Sequence, residues 1–497
     1  MREQLKREAI RGVGWALLSS VSVRVLQVIT ILTLAKILMP ADFGVFALAF
    51  LIIQAMVVFR DVGFAQVLVY RQDDIRRSAD TAFVLALVSS GVLAALLFVS
   101  APGLGRLFGA SEIVSPTRAM SAALLISGAA NVPLALLDKR LRFKRRAIPE
   151  VTGALTYAVV SIGLATAGFR VWSLVAGWIA MTVVNTAAAW LVCTWRPSLE
   201  FDWGEARVIL SYGKHLMIAS LAVFAFFQID KALVGKWLGV TALGFYSMAF
   251  TVCNLPATNL AHVVNRVMFP TYSQLQDDLP AMRSVYLRTV RYISMAAFPA
   301  AVGIFVVADP IIRVLYGQKW VPAIPLFHIL ALYGLTRSIG STASAVFMST
   351  GNPGLVKRVS MLQLFVAVPL VYPAAMRFGT VGVAVLFAGA YALGTIYALG
   401  KVQRILGIRA VNYVSAAGLS LGATALAGAS GWIVSVNFYP PSWAGVAAVC
   451  IMFCSVYGAS IFFLDRSTYG ELVGLLAKLK QEREGSEKHK DDKYTYA

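Results

Sequence analysis

The sequence predicts an all-α polytopic membrane protein with about fourteen transmembrane helices. Of its 497 residues, 59% are hydrophobic and 14% charged, and its mean hydropathy is +0.73, far more apolar than a soluble chain. Apolar runs of about 18 residues or more recur along most of the length, each able to cross about 30 Å of hydrocarbon. The basic residues alternate in density from one connection to the next. A β-barrel would show short alternating segments instead.

Taken in order, the runs place spans at 12–38, 43–59, 79–101, 117–137, 148–168, 171–194, 212–237, 241–265, 286–308, 322–349, 356–376, 380–400, 411–436 and 443–464. The stretch before the first, "MREQLKREAIRG", is basic. The apolar run behind it is too long for a signal peptide, so a retained cytoplasmic segment is expected. With that segment inside, roughly 33 of the 44 Lys and Arg fall at one set of connections and at the two ends, and roughly 7 on the opposite side. This bias predicts that both termini are cytoplasmic. The net charge of +20 is therefore a topology signal. The densest cluster, "DKRLRFKRRAIPE" (138–150), is read as facing an anionic leaflet and not nucleic acid.

Several function classes lack their signatures. The connections on the outer side are short, no Walker-type Gly-Lys-Ser/Thr loop occurs, and no cofactor, metal or catalytic pattern stands out. Cys193, Cys253, Cys450 and Cys454 all lie in apolar segments without metal-type spacing. They read as small hydrophobic packing residues.

An internal repeat organises the chain. "KILMPADFGVFALAF" (36–50) aligns without a gap on "KWLGVTALGFYSMAF" (236–250), an offset of 200. Lys36 and Lys236, Leu38 and Leu238, Gly44 and Gly244, Ala49 and Ala249, and Phe50 and Phe250 are identical, and Phe46 faces Tyr246. "RLFGASEI" (106–113) and "RVLYGQKW" (313–320) close later outer loops in a similar way. Two copies six spans apart predict an N-lobe (1–200), a C-lobe (201–404), two additional spans (405–466) and a cytoplasmic tail (467–497) that begins amphipathic and ends charged. Parallel repeats of this kind are typical of transporters with a site at mid-membrane.

Ionisable residues inside spans are the functional candidates, because each costs about 2.5–3.5 kcal/mol at a helix centre unless it faces a partner or a cavity. Arg24 lies about 18 Å along the first span at 1.5 Å per residue, with Ser20 and Gln27 on its own face. The seventh span reads "FFQIDKALVGKWLG" (226–239), where Asp230 and Lys231 point about 100° apart. One is expected to pair within the bundle while the other faces a ligand. Arg337 shares a stripe with Tyr333 and Ser341, and Asn254, Thr258, His262 and Asn265 recur at helical spacing beside Pro256. Lys36, Gln54 and Gln228 are secondary cavity candidates. His215, His262 and His328 are scattered. Arg24, Lys231 and Arg337 against Asp230 make a net-positive interior suited to an anion, phosphate above all.

The segments "LAKILMPADFGVFALAF", "DVGFAQVLV", "QIDKALVGKWLGVTALGFYSMAF" and "LYGQKWVPAIPLFHILAL" resemble the Wzx-type polysaccharide transporters, in their colanic-acid-exporter-like branch. These belong to the multidrug/oligosaccharidyl-lipid/polysaccharide flippase superfamily. The resemblance implies a MATE-like V of two six-helix lobes plus two C-terminal helices. It implies flipping of an undecaprenyl-diphosphate-linked oligosaccharide across a bacterial inner membrane for lipopolysaccharide or exopolysaccharide export, and not enzymatic turnover. It further implies that Arg24, Lys231 and Arg337 meet the diphosphate, with Gln27 beside them. Asp230 would serve in ion coupling or a cavity ion pair. Membrane lipids and polysaccharide polymerase or chain-length machinery are the implied partners of a monomeric flippase. The alternatives are a lipid II-type flippase and a cation or drug antiporter of the same superfamily. The antiporter would want an acidic N-lobe cavity. A polymerase or ligase would want a long outer catalytic loop.

Overall fold

The computed structural model describes residues 19, 22–61, 68, 75–139, 142–198, 200–263, 268–437 and 442–464. Its described residues form an all-helical, multi-pass membrane fold. Helix α1 covers 22–37, followed by α2 (Pro40–Arg60), α3 (Ile75–Phe108), α4 (Val114–Lys139), α5 (Phe143–Thr166) and α6 (Val171–Val192). The helical stretch Trp203–Val263 is two spans, α7 (203–238) and α8 (240–263), because Gly239 at φ 85°, ψ 173° reverses the chain. After α9 (Leu279–Ile311) and α10 (Ile324–Ser349), Gly379 at φ 58°, ψ −145° likewise splits Pro353–Leu406 into α11 (353–378) and α12 (380–406). Only a residue without Cβ adopts these backbone angles cheaply. Helices α13 (Ala410–Asn437) and α14 (Trp443–Leu464) complete the set.

Each helix answers to a run read from the sequence, and most overrun it. Helix α9 begins seven residues before the apolar stretch at 286, with Pro280 in its first turn and the Asp278 carboxylate accepting from the Ala281 N–H at 3.0 Å. Hydropathy marks only the hydrocarbon-facing part, whereas the helix continues until a cap or breaker ends it. The connections at 195–211 and 266–285 also contain helix, the start of α7 at Trp203 and the short Phe269–Gln274. The N-terminal segment before residue 19, Ser20 and the tail from 465 lie outside the described residues.

The chain divides into two compact units, Met1–Val252 with Leu315–Leu326 and Leu364–Phe387, and Cys253–Val314 with Phe327–Gln363 and Ala388–Ala497. In the first, α2 and α8 cross backbone to backbone at Gly44 and Gly244. A Cβ on Gly44 would collide with the Val240 carbonyl oxygen and lie 3.0 Å from the Gly244 nitrogen. A Cβ on Gly244 would collide with the Pro40 carbonyl oxygen and lie 3.1 Å from the Gly44 nitrogen. The offset of 200 is thus a physical pseudo-symmetry. Phe46 stacks on Phe50 at 5.6 Å and Tyr246 on Phe250 at 6.4 Å in the same relation.

The segment between α9 and α10 packs on the end of α1. The fully buried Trp320 donates its indole N–H to the Ala35 carbonyl at 2.8 Å. The Lys319 ammonium donates to the carbonyls of Lys36 and Leu38, each at 2.8 Å. These oxygens end α1 and would otherwise lack partners. Phe43 and Phe245 hold the Trp320 ring edge-on at 5.4 and 5.8 Å. At the start of α3, the irregular segment before α7 is tied down. Ser198 donates its N–H and hydroxyl to the buried Asp80 carboxylate at 3.2 and 2.7 Å, and Asp202 pairs with Arg77.

In the second unit, Tyr272, Met282, Tyr286, Val346, Phe347 and Val402 lie in one buried cluster. The Tyr286 hydroxyl lies 3.3 Å from that of Thr342, and Tyr413 donates to it at 3.2 Å. Apolar packing cannot specify orientation against a lipid surround of equal apolarity, so such hydrogen bonds and close glycine contacts set helix register.

Candidate functional site

Within the first unit, α1, α2, α5, α6, α7 and α8 line an open cavity of about 230 Å³. Its polar lining is Gln54, Tyr157, Gln228, Lys231, Ser247 and Thr251; Phe43, Phe46, Phe50 and Met248 are among its apolar walls. Lys231 carries the only formal charge among the described lining residues. Its ammonium donates to the Gln228 side-chain oxygen at 3.0 Å and stands 4.3 Å above the Phe250 ring. Gln228 lies one turn earlier on α7, which is why the two converge. An aromatic face stabilises a cation by its ring quadrupole.

Asp230, one residue earlier, turns away. It is 4% exposed and accepts the Tyr246 hydroxyl and the Lys231 backbone N–H, each at 2.8 Å. The hairpin at Gly239 brings Tyr246 alongside it, sixteen residues further on. The adjacent pair therefore separates as helical geometry requires, the acid held inside and the lysine facing the cavity.

Arg24 is half-buried on α1 and donates to the Gln27 side-chain oxygen at 3.4 Å. Gln27 shares a helix face with Ile31, four residues on, and Ile31 lines the cavity. Arg24 and Gln27 are outside the lining itself. Lys36 is exposed at the end of α1, where its carbonyl receives Lys319. Ser20 is outside the described residues.

The second unit gathers the other candidates. Arg337 on α10 donates to the Asn254 side-chain oxygen on α8 at 3.0 Å. Tyr333, one turn before Arg337 and 6% exposed, meets Tyr391 edge-on at 5.0 Å. The Thr258 hydroxyl is occupied by the Asn254 and Leu255 carbonyls at 3.0 Å. The His215 and His262 side chains and Asn265 lie outside the described residues. His328 packs on Phe305 with ring centres 4.3 Å apart. No group of three or more His, Cys, Asp or Glu side chains able to hold a metal occurs among the described residues.

Sequence reasoning named Gln54, Gln228 and Lys231, which the fold brings to one cavity. It missed Tyr157, Ser247 and Thr251, ordinary residues on long apolar helices. The repeat held a signal for the walls, since Phe46 and Phe50 answer to Tyr246 and Phe250.

The described residues thus combine a multi-pass α-helical fold with a cavity lined by one lysine, amides, hydroxyls and aromatic rings. Residues 33–325, more than half of the chain, match the family described as "Polysaccharide biosynthesis protein". The protein belongs to this polysaccharide biosynthesis family. The Rhizobium meliloti succinoglycan biosynthesis transport protein ExoT is 28% identical over 65% of this chain, a match that covers 65% of ExoT, just under two thirds of its length. The Escherichia coli lipopolysaccharide biosynthesis protein WzxC is 23% identical over 82% of this chain and 84% of its own. Among solved structures, the lipid II flippase MurJ in an inward closed conformation superposes with a TM-score of 0.71 at 14% identity, covering 91% of this chain and all of MurJ. That likeness is one of fold.

Proposed function

We propose that the protein flips an undecaprenyl-diphosphate-linked glycan from the cytoplasmic to the periplasmic leaflet of a bacterial cytoplasmic membrane, for surface polysaccharide synthesis and export. The observation that carries this reading is Lys231, the one formal charge among the described residues lining a cavity of amides, hydroxyls and aromatic rings. A diphosphate-sugar headgroup crossing hydrocarbon unaided would lose the hydration of several charges and many hydroxyls. A cationic polar cavity replaces that hydration while the prenyl tail stays in lipid. Arg24, with Gln27 on the same helix face, is a further proposed phosphate contact in the first unit, and Arg337 is a separate candidate in the second.

In this reading both termini are cytoplasmic, and residues 1–200 and 201–404 form two lobes working by alternating access. The colanic-acid-exporter-like branch is the proposed placement. The protein acts as a monomer beside polymerase and chain-length machinery. A negative-inside potential helps outward movement of an anion by about 2.3 kcal/mol per charge per 100 mV. Asp230, buried in a membrane-spanning hairpin, is the proposed coupling carboxylate.

The test is reconstitution into vesicles with a labelled undecaprenyl-diphosphate sugar and measurement of its transfer between leaflets. Lys231→Gln and Arg24→Ala are expected to slow transfer severely, and Arg24→Lys to recover part of it. Unimpaired transfer by both charge-removing variants would exclude the phosphate assignment. Transfer indifferent to an imposed potential would remove the field argument. Asp230→Asn that keeps its response to proton or sodium gradients would remove the coupling role.

A lipid II-type flippase is the second reading, supported by the fold shared with MurJ and by α13 and α14 beyond twelve spans. Depletion that stops growth, and not only surface polysaccharide, would select it. A cation antiporter is disfavoured because no carboxylate lines the cavity among the described residues.

A further inference from the structure

We infer that the segment joining α9 to α10 is a hinged gate over the cavity of the first unit, latched by Trp320 and Lys319 on the corner between α1 and α2. Release of this latch opens the cavity to the outer side. The inference rests on the flippase reading above, whose alternating access requires a gate without saying which segment forms it.

Position comes first. Phe43 lines the cavity and also holds the Trp320 ring edge-on at 5.4 Å. The lining continues along α2 from Phe43 to Gln54, about 16 Å at 1.5 Å per residue. Trp320 therefore stands at the end of the cavity where α1 stops and α2 begins. With the N-terminus cytoplasmic, as the charge bias predicts, that end is the outer one.

The latch comes second. Trp320 and Lys319 bond the last carbonyls of α1, at Ala35, Lys36 and Leu38. Acceptors at a helix end are satisfied by water nearly as well as by a side chain, so release at the outer surface strands no buried backbone group. The corner that receives the latch is braced without it. The buried Asp42 carboxylate accepts the Met39 N–H at 3.0 Å and pairs with Arg170 at 3.4 Å. Asp42 also attracts the Lys319 ammonium. The dock therefore holds its shape whether or not the latch is on it.

The hinge comes third. Helix α9 loosens into a π-helical turn at Ile312–Tyr316, Gly317 follows at φ 78°, ψ −176°, and a 3₁₀ stretch, Gln318–Ala323, leads into α10. Short π and 3₁₀ pieces inside a helical path are frequent at hinges. A Cβ on Gly317 would meet nothing within 4 Å, so the glycine serves the backbone angle and not close packing. Residues Leu315–Leu326 belong to the first unit, whereas Val314 and Phe327 on either flank belong to the second. A segment bonded to one unit and continuous in chain with the other must let go, or hold, whenever the two rearrange. The first copy of the repeat has a similar segment, Ser111–Ile113 after Gly109 at φ 62°, but it carries no Trp or Lys and packs on α2, α3 and α4. The repeat thus supplies the shape of the segment, and Lys319 and Trp320 supply the latch.

The experiment has two arms, both on the full-length protein. In the first, Ala47→Cys places a reporter thiol on the cavity lining. Its initial rate of labelling by a membrane-impermeant maleimide is read from outside in spheroplasts and from the cytoplasmic side in inverted vesicles. Labelling of the parent chain, which has four cysteines of its own, is subtracted. Labelling from outside should be slow. Trp320→Phe keeps the ring and loses the indole donor, and Lys319→Met keeps the stem and loses the ammonium. Each should raise the outside rate about fivefold, the ratio set by one lost hydrogen bond, and leave the cytoplasmic rate unraised. Unchanged outside rates in both variants overturn the gate. In the second arm, Lys319→Cys and Met39→Cys are joined by a short, reducible bis-thiol reagent, because the Lys319 ammonium already reaches the Leu38 carbonyl beside Met39. The cross-link should stop transfer of a labelled undecaprenyl-diphosphate sugar between leaflets, and reduction should restore it. The same reagent on either single variant should not stop transfer. Cross-linked protein that transfers at the full rate overturns the gate and leaves the flippase reading standing. Outside labelling that follows the latch, in a protein that transfers no diphosphate lipid in any form, overturns the flippase reading and leaves the gate standing.

Discussion

Gly44 and Gly244, two hundred residues apart, pack against each other so closely that each backbone nitrogen lies 3.0–3.1 Å from where the other's Cβ would stand. Each absent side chain leaves room for a carbonyl of the opposite helix, Val240 in one case and Pro40 in the other. Small residues allow helices to approach to backbone contact in a membrane, where lipid removes most of the hydrophobic drive for association.

Gly44→Ala and Gly244→Ala are therefore expected to destabilise the protein by about 1–3 kcal/mol through overpacking, read as a lower melting temperature in detergent. The valine variants should fall further. Gly163→Ala and Gly389→Ala serve as controls, because a Cβ at either position meets nothing within 4 Å. They should be neutral or slightly stabilising.

Trp320 makes a graded prediction. Trp320→Phe keeps the ring between Phe43 and Phe245 but loses the hydrogen bond to Ala35, at a cost of about 1 kcal/mol. Trp320→Ala also empties a fully buried site, at about 3–5 kcal/mol. Lys319→Ala should cost less than either, because its contacts lie at the surface end of the same segment. Equal melting temperatures for the phenylalanine and alanine variants would contradict the packing.

The buried pair of Asp230 and Tyr246 predicts coupling. Tyr246→Phe leaves the carboxylate with one donor fewer and should cost about 1–3 kcal/mol. In the double variant with Asp230→Asn the loss should be smaller than the sum of the single losses. Strict additivity in a double-mutant cycle would show that the two groups act independently.

Asp202, in the segment before α7, predicts a pH effect. The Glu205 N–H, with Arg77 beside it, holds its carboxyl below the usual carboxylate range. A carboxyl so depressed stabilises the fold above its unfolded pKa and loses that contribution as pH falls through the folded value. Wild type and Asp202→Asn should therefore differ in melting temperature at neutral pH, and the difference should shrink once pH falls below about 4. A gap that persists unchanged at low pH would remove Asp202 from the tie.

The sequence by itself determined the class, the spans and the repeat. Long apolar runs have one stable form in lipid, since every backbone group must be satisfied within its own segment, and α10 and α14 follow directly. It also marked Lys231 and Asp230 as residues that need partners, because charge in a span is costly wherever the helix packs. Tertiary structure alone decided which partner each received. Gly239 turns α7 back on α8, so Tyr246 reaches Asp230 while Phe250 lies under Lys231. Nothing in the run around Ser247 distinguishes it from other serines on apolar helices. It joins the cavity lining because residues from six helices converge there. The Gly44 and Gly244 identity was legible as a repeat, but its reason, two backbones meeting where no side chain fits, exists only in three dimensions.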